Sequence, residues 1–175
     1  MEIKQLIVGP LLTNCYILIS EKEAIVIDPG AGLKKILKEI EGKKLSFIIL
    51  THYHLDHTLA APKLREKTGA KILIHKKEKD FLKFQPDQFL DGGEEIRIGN
   101  EYLKIVHTPG HTKGSICVLG ENFIFTGDTI FEDGVGRTDL PGGSEKDLKE
   151  SLEKLEKIIK KGMKIYPGHG PMFKK

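Results

Sequence analysis

The chain is poor in cysteine and has no tryptophan. Its two cysteines, Cys15 and Cys117, stand far apart inside the apolar runs CYILI and SICVL, outside any C-x-x-C pattern. That excludes a disulfide framework and a cysteine-ligated metal site, and leaves two reduced thiols that pack as small hydrophobes. Also missing is any apolar stretch near the ~18 residues needed to span a bilayer. The N-terminal MEIKQLIVGP has no basic segment ahead of an apolar one, so it does not read as a signal peptide and a cytoplasmic location is expected. Charge of one sign is lacking too. Against 28 Lys and Arg stand 25 Asp and Glu, a net charge of +3. The lysines are scattered and form no stripe, so neither nucleic acid nor a membrane is implied as a partner. Gln and Asn are scarce beside Lys and Glu, a bias associated with thermophilic proteins. Finally, no serine, cysteine or lysine nucleophile stands near an obvious base.

What is present suits one domain with a substantial core: 175 residues, 39% hydrophobic. Ile3–Val8, Asn14–Ser20 and Ala24–Asp28 are β-branched-rich runs that predict strands. Pro29-Gly30 ends the third, and Leu33, Ile36, Leu37 and Ile40 recur at helical spacing over Leu33–Glu41. Leu45–Leu50 is a continuous apolar strand. A helix beginning between His57 and Pro62 stops at Gly69, followed by a strand at Lys71–His75 and a short helix at Lys76–Phe84. Glu95–Ile98, Tyr102–His107, Ser115–Leu119 and Asn122–Thr126 predict a meander. After the Gly-rich segment 127–143, Ser144 and Asp147 form an S-x-x-D start to an amphipathic helix reaching about Lys160, and Lys164–Tyr166 is a last strand. Two strand-rich halves, each with helices, predict an α/β fold: two mixed sheets packed face to face with helices outside, a four-layer sandwich.

The chemistry concentrates in Thr51-His52-Tyr53-His54-Leu55-Asp56-His57, directly after the apolar strand. Three imidazoles and a carboxylate in six residues are more than a core can satisfy, since each buried polar group needs a partner. On an extended chain His52 and His54 share one side and can share one ion, while Asp56 and His57 follow as the chain turns and can face a second. Tyr53 and Leu55, interleaved with them, are expected to point the other way and pack. Four further residues stand where strands give way to glycine- and proline-bearing turns: Asp28, His111 in TPGHT, Asp128 in TGDT, and His169 in PGHG. His75 and His107 also end strands, but read as structural or solvated.

The string H-x-H-x-D-H followed by His111, Asp128 and His169 resembles the metallo-β-lactamase superfamily of binuclear metallohydrolases. The likeness runs from the Asn14–Ser20 strand to Gly168-His169-Gly170. It implies two divalent metals, with zinc expected and iron or manganese as alternatives. One would be held by His52, His54 and His111, the other by Asp56, His57 and His169. Asp128 would bridge them, and Asp28 would orient the cluster from behind. Asp128 separates the chain from true β-lactamases, which generally lack that aspartate. Gly136-Arg137-Thr138-Asp139-Leu140-Pro141-Gly142-Gly143 is similar to the G-R-x-D-x-P-x-G loop of short glyoxalase II-like hydrolases. That likeness implies cleavage of a small-molecule thioester, with Asp56 and Asp128 in catalytic roles and Arg137 binding the thiol portion, unless it is tied to Asp139 or Asp133. The six residues after His169 leave no glutathione-binding helical domain, so glutathione recognition is not implied. The alternatives are a lactone or ester hydrolase on the same core, and a mononuclear iron enzyme like the persulfide dioxygenases, using His52, His111 and Asp128. A monomer or small homo-oligomer is expected.

Overall fold

The computed structural model describes residues 1–175. Strands β1 (Glu2–Val8), β2 (Thr13–Ser20), β3 (Glu23–Ile27), β4 (Lys44–Ile49), β5 (Lys71–His75) and β6 (Gln88–Leu90) form one sheet in sequence order. The pairs from β1 to β3 are antiparallel and those from β3 to β6 parallel. The second sheet contains β7 (Glu95–Ile98), β8 (Glu101–His107), β9 (Ile116–Leu119) and β10 (Phe123–Gly127). A small hairpin of β11 (Ile130–Phe131) and β12 (Gly134–Val135) follows, and β13 (Lys164–Pro167) and β14 (Phe173–Lys174) complete the sheet in the order β14-β13-β10-β9-β8-β7. Helices α1 (Leu33–Glu39), α2 (Leu55–Thr58) and α3 (Ala61–Thr68) belong to the first half and α4 (Glu145–Ile158) to the second.

The period-two alternation of each strand sorts its side chains into layers. Tyr16, Leu18, Ile25, Ile27, Ile49, Leu73, Ile105, Val118 and Phe125 fill the space between the two sheets. The alternating set from the first sheet, including Cys15, Ile17, Val26, Ile48 and Ile72, packs under α1 and α3 through Ile36, Ile40, Ala61 and Leu64. The alternating set from the second, Val106, Cys117, Ile124 and Ile165, meets Leu155 of α4 and the adjoining Ile159. Three stacked cores make four layers, as the sequence predicts. Burial pushes the Cys117 thiol up to about 11 and Cys15 higher still, so both are inert packing groups. No helix is long and apolar enough to cross a membrane.

Several boundaries differ from the sequence expectation. The helix expected at Lys76–Phe84 is a 3₁₀ helix over Lys76–Phe81, and the one ending at Gly69 is split into α2 and α3. Strands β6 and β14 lack a hydrophobic run of their own and form by pairing with β5 and β13. Ser144 does cap α4, its Oγ accepting from Asp147 N at 3.2 Å. His75 and His107 stack face to face, 4.0 Å apart and 9° from parallel. His75 Nε2 meets the Asp91 carbonyl and His107 Nε2 that of Lys113, so this pair ties β5 to β8 away from the histidine cluster.

Phe125 is fully buried between the sheets against Tyr16 and Tyr166, with ring centroids 4.9 and 5.1 Å away. Phe125→Ala is expected to cost about 3–5 kcal/mol, read as a lowered denaturant midpoint at unchanged slope. A cost under about 1 kcal/mol would contradict this packing.

Candidate metal centre

Asp28 follows β3, the cluster from His52 follows β4, His111 follows β8, Asp128 follows β10 and His169 follows β13. Because β3 with β4 and β10 with β13 run parallel, these C-terminal ends gather at one rim of the sandwich. Backbone bonds lace the sheets there: Ile116 N donates to the Thr51 carbonyl (2.9 Å), and Asn14 N to that of Gly168 (2.7 Å).

Four of the five imidazoles have one nitrogen committed behind them, and His54 turns its Nδ1 toward His111 Nε2 at 3.0 Å. Asp28, held in the left-handed region at φ 52, accepts from Thr51 N (2.7 Å), Thr51 Oγ1 (2.6 Å) and His57 Nδ1 (2.9 Å). These three bonds offset a backbone strain of order 1 kcal/mol. Since Thr51 Oγ1 donates to Asp28, it accepts from His52 Nδ1 at 3.0 Å. His111 Nδ1 donates to the Arg137 carbonyl (2.8 Å), and His169 Nδ1 to that of Leu11 (3.1 Å). The Nε2 atoms of His52, His57, His111 and His169 therefore all face inward. Two of them, in His57 and His169, lie 3.3 Å apart, and a pair of lone pairs that close calls for a positive charge between them. His52 Nε2, His54 Nε2 and Asp128 Oδ1 are each buried with no hydrogen-bond partner, a costly state for a polar atom.

The donors fall into sets whose atoms lie within 4.8 Å of one another: His52, His54 and His111; Asp56, His57 and His169; and His52, His57 and Asp128. Asp128 stands between the first two, its Oδ2 3.6 Å from His111 Nε2 and 3.5 Å from His169 Nε2, its Oδ1 3.4 Å from His57 Nε2. The field is polarised. Burial and the neighbouring histidines hold His52 well below the usual imidazole range, and burial brings His54 down to about 4. On the other side, burial opposes charge on His57, but Asp128 and Asp28 outweigh it and raise it well above. The adjacent Asp56 carboxylate raises His169. Burial works against the Asp56 carboxylate, yet hydrogen bonds from His169, His57 and Thr13 hold it below the usual range. Unpartnered nitrogen and oxygen donors converging in a field that favours cations are what a pair of divalent ions requires.

Glycines make the close approach possible. A Cβ on Gly168 would overlap Asp128 Oδ1 and come within 2.8 Å of His57 Cε1, and one on Gly30 would collide with the Asp56 carbonyl.

All seven expected ligand residues come together here, with Asp28 behind them. Arg137 faces the adjoining cleft but is tied to Asp139, both contacts at 2.7 Å, and not to Asp133. Tyr53 and Leu55 depart from expectation. Leu55 is 53% exposed, and both line the cleft, because α2 begins at Leu55 and breaks the strand-like alternation. Tyr53 packs on Phe81, with ring centroids 4.5 Å apart. Thr13 was not foreseen; its Oγ1 donates to Asp56 Oδ2 at 2.8 Å. Nor was Glu78, fully buried in an apparently solvated run KKEKD, whose carboxylate clips Tyr53 N (2.8 Å) to Gly114 N (2.6 Å) and so joins the two histidine-bearing loops. Burial raises its pKa. A glutamate in a lysine-rich stretch carries no sequence signal for that role.

The architecture and this donor set define a metallo-β-lactamase-type chain. The profile of the metallo-beta-lactamase superfamily matches residues 8–169, and the chain belongs to that superfamily. It is 33% identical to the probable metallo-hydrolase YqgX of Bacillus subtilis, over 98% of this chain and 91% of the relative. With the probable polyketide biosynthesis zinc-dependent hydrolase PksB of Bacillus subtilis it shares 36% identity, over 89% of this chain and 72% of that one. Among solved structures at 28% identity, the BLEG-1 B3 metallo-beta-lactamase superposes with a TM-score of 0.92 (99% of this chain, 94% of that one). TTHA1623 in a di-iron-bound form gives 0.87 (98% and 94%), and ETHE1 from Myxococcus xanthus 0.85 (99% and 80%).

Asp28→Asn, which takes a full charge from the partner of His57 and Thr51, is expected to weaken divalent-metal affinity about 10–100-fold. Asp128→Ala is expected to lower the metal content per chain. Both are read by chelator competition and metal analysis, and wild-type affinity in both variants would remove these residues from the metal site.

Proposed function

We propose that the protein is a binuclear metal-dependent hydrolase that cleaves a small thioester. One observation carries this reading: two three-donor sets meet about Asp128, with His52 Nε2 and Asp128 Oδ1 buried and unpartnered, at the floor of a cleft of 530 Å³. When bound, two divalent ions supply a water ionised near neutral pH and a Lewis acid for the carbonyl oxygen. His52, His54 and His111 would hold one ion, Asp56, His57 and His169 the other, and Asp128 would touch both. Zinc is the proposed pair, in keeping with the zinc-dependent relative. The di-iron neighbour supports iron as an alternative, and manganese suits the same donors.

The residues themselves select the leaving group. Asp56 Oδ2 accepts from Thr13 and lies 3.2 Å from both His57 Nε2 and His169 Nε2, and as a ligand beside them it would be a poor proton donor. Asp128, the other acid at the floor of the cleft, would likewise be committed to the ions. A thiolate, whose conjugate acid has a pKa of about 8.5, leaves without a proton, whereas an alkoxide needs one. Thioesters therefore suit the site better than lactones or esters. Leu11, Leu55, Leu140, Tyr53 and Phe81 wall the cleft and exclude water from an apolar acyl chain. Arg137, with Nε and Nη2 on Asp139, keeps further N–H groups for polar atoms of the thiol portion.

A second reading is a mononuclear iron oxidoreductase of the persulfide dioxygenase kind. It needs His52, His111 and Asp128 alone, and His111 Nε2 does lie 3.6 Å from Asp128 Oδ2. It leaves the Asp56, His57 and His169 set without a task, so the hydrolase is preferred.

Metal analysis of anaerobically purified protein, beside thioester, lactone, β-lactam and persulfide substrates, tests the choice. Two metals per chain and thioester cleavage lost on chelation and restored by metal are expected. One iron per chain with oxygen uptake on a persulfide would overturn the hydrolase.

A further inference from the structure

The cleft holds two cationic side chains, Arg137 and Lys83, and they are not equivalent. The Arg137 charge is matched by a bidentate pair with Asp139. Lys83 has no carboxylate partner, and downstream of it Asp87 and Asp91 are taken by Arg65 and Lys76. The local fold also positions Lys83. After the 3₁₀ helix the chain is extended at Leu82 (φ −79, ψ 143), and Leu82 and Phe84 both pack into the core under the first sheet. Lys83, in the bend between them, is exposed and lines the cleft. Just before it, Phe81 stacks on Tyr53, whose hydroxyl donates to the Pro141 carbonyl at 2.9 Å. A free ammonium thus stands on a wall anchored at both ends, above a cleft that is otherwise mostly apolar.

Resting on the thioester reading, we propose that Lys83 sets substrate preference by pairing with an anionic group, a carboxylate or a phosphate, on the thiol portion of the substrate. The thiol portion is the half that Arg137 faces in that reading. Arg137 supplies neutral hydrogen bonding there, and Lys83 supplies the unmatched charge.

The test uses the metal-loaded protein and three matched short thioesters whose thiol halves end in a neutral amide, a carboxylate or a phosphate. Their non-cleavable thioether analogues serve for binding by calorimetry. Wild type is expected to favour an anionic ligand over the neutral one about fivefold, in KM and in Kd, with the preference shrinking as salt rises. Lys83→Ala is expected to abolish that ratio, Lys83→Arg to retain it and Lys83→Glu to reverse it. The carboxylate and phosphate arms distinguish the two sources of charge. Hydrolysis of all three thioesters with equal KM, or a ratio unchanged in Lys83→Ala, overturns the role of Lys83. Absence of hydrolysis with a Lys83-dependent binding ratio overturns the thioesterase reading and leaves the anion site standing.

Discussion

The three hydrogen bonds onto Asp28 hold the functional end of the molecule in shape. This residue is buried, takes a left-handed backbone conformation and accepts from the amide and hydroxyl of Thr51 and from His57. Through Thr51 it sets the tautomer of His52, and directly it sets that of His57. Two neighbouring rings, with centroids 4.2 Å apart, thus receive their orientation from one carboxylate. Had either ring nitrogen been left to choose its own partner, the inward lone pairs would have found each other's protons and the cluster would have closed on itself. Committing the Nδ1 atoms of His52, His57, His111 and His169 behind the site keeps their Nε2 atoms available, which is how outer groups generally tune metal-binding histidines.

The sandwich supplies what such a rim needs. Parallel pairing of β3 with β4 and of β10 with β13 places four strand ends on the same side, and the layer between the sheets holds them at fixed separation. Backbone bonds across the gap, from Ile116 to Thr51 and from Asn14 to Gly168, and the Glu78 clip between Tyr53 and Gly114 keep the loops in register. Close-packed interiors resist small displacements, so donors borne by four separate loops can still meet within a few ångströms. The cost of gathering like groups is carried by the rest of the fold, in keeping with the polarised field across the cluster, where His52 and His54 are kept neutral and His57 and His169 are drawn toward charge.

Much of the site was legible because its chemistry is dense and its punctuation strong. H-x-H-x-D-H is hard to reconcile with any unliganded environment, and glycine- or proline-flanked His111, Asp128 and His169 follow strands whose apolar runs are clear. The walls of the cleft were not legible in the same way. Leu55 and Tyr53 obey a strand's alternation on paper, but α2 starts at Leu55 and turns them into the cleft. Glu78 sits among lysines, and nothing local distinguishes it from a solvated charge until two loops close over it. Thr13 and Lys83 are ordinary residues whose meaning lies in what faces them.

Periodicity and donor density, both local properties, were enough for the sequence alone to point to a four-layer α/β sandwich and the strand-end placement of the donors, while the division into two ligand sets came from the family resemblance. Tertiary structure alone decided which nitrogen of each imidazole faces inward, that Arg137 is tied to Asp139 and that Lys83 is free. The reason is one of range. Secondary structure and hydrophobic layering follow from neighbours a few residues apart, whereas hydrogen-bond partnership and charge matching depend on residues such as Leu11 with His169 or Asn14 with Pro167, 158 and 153 positions apart, which only the completed packing brings into contact.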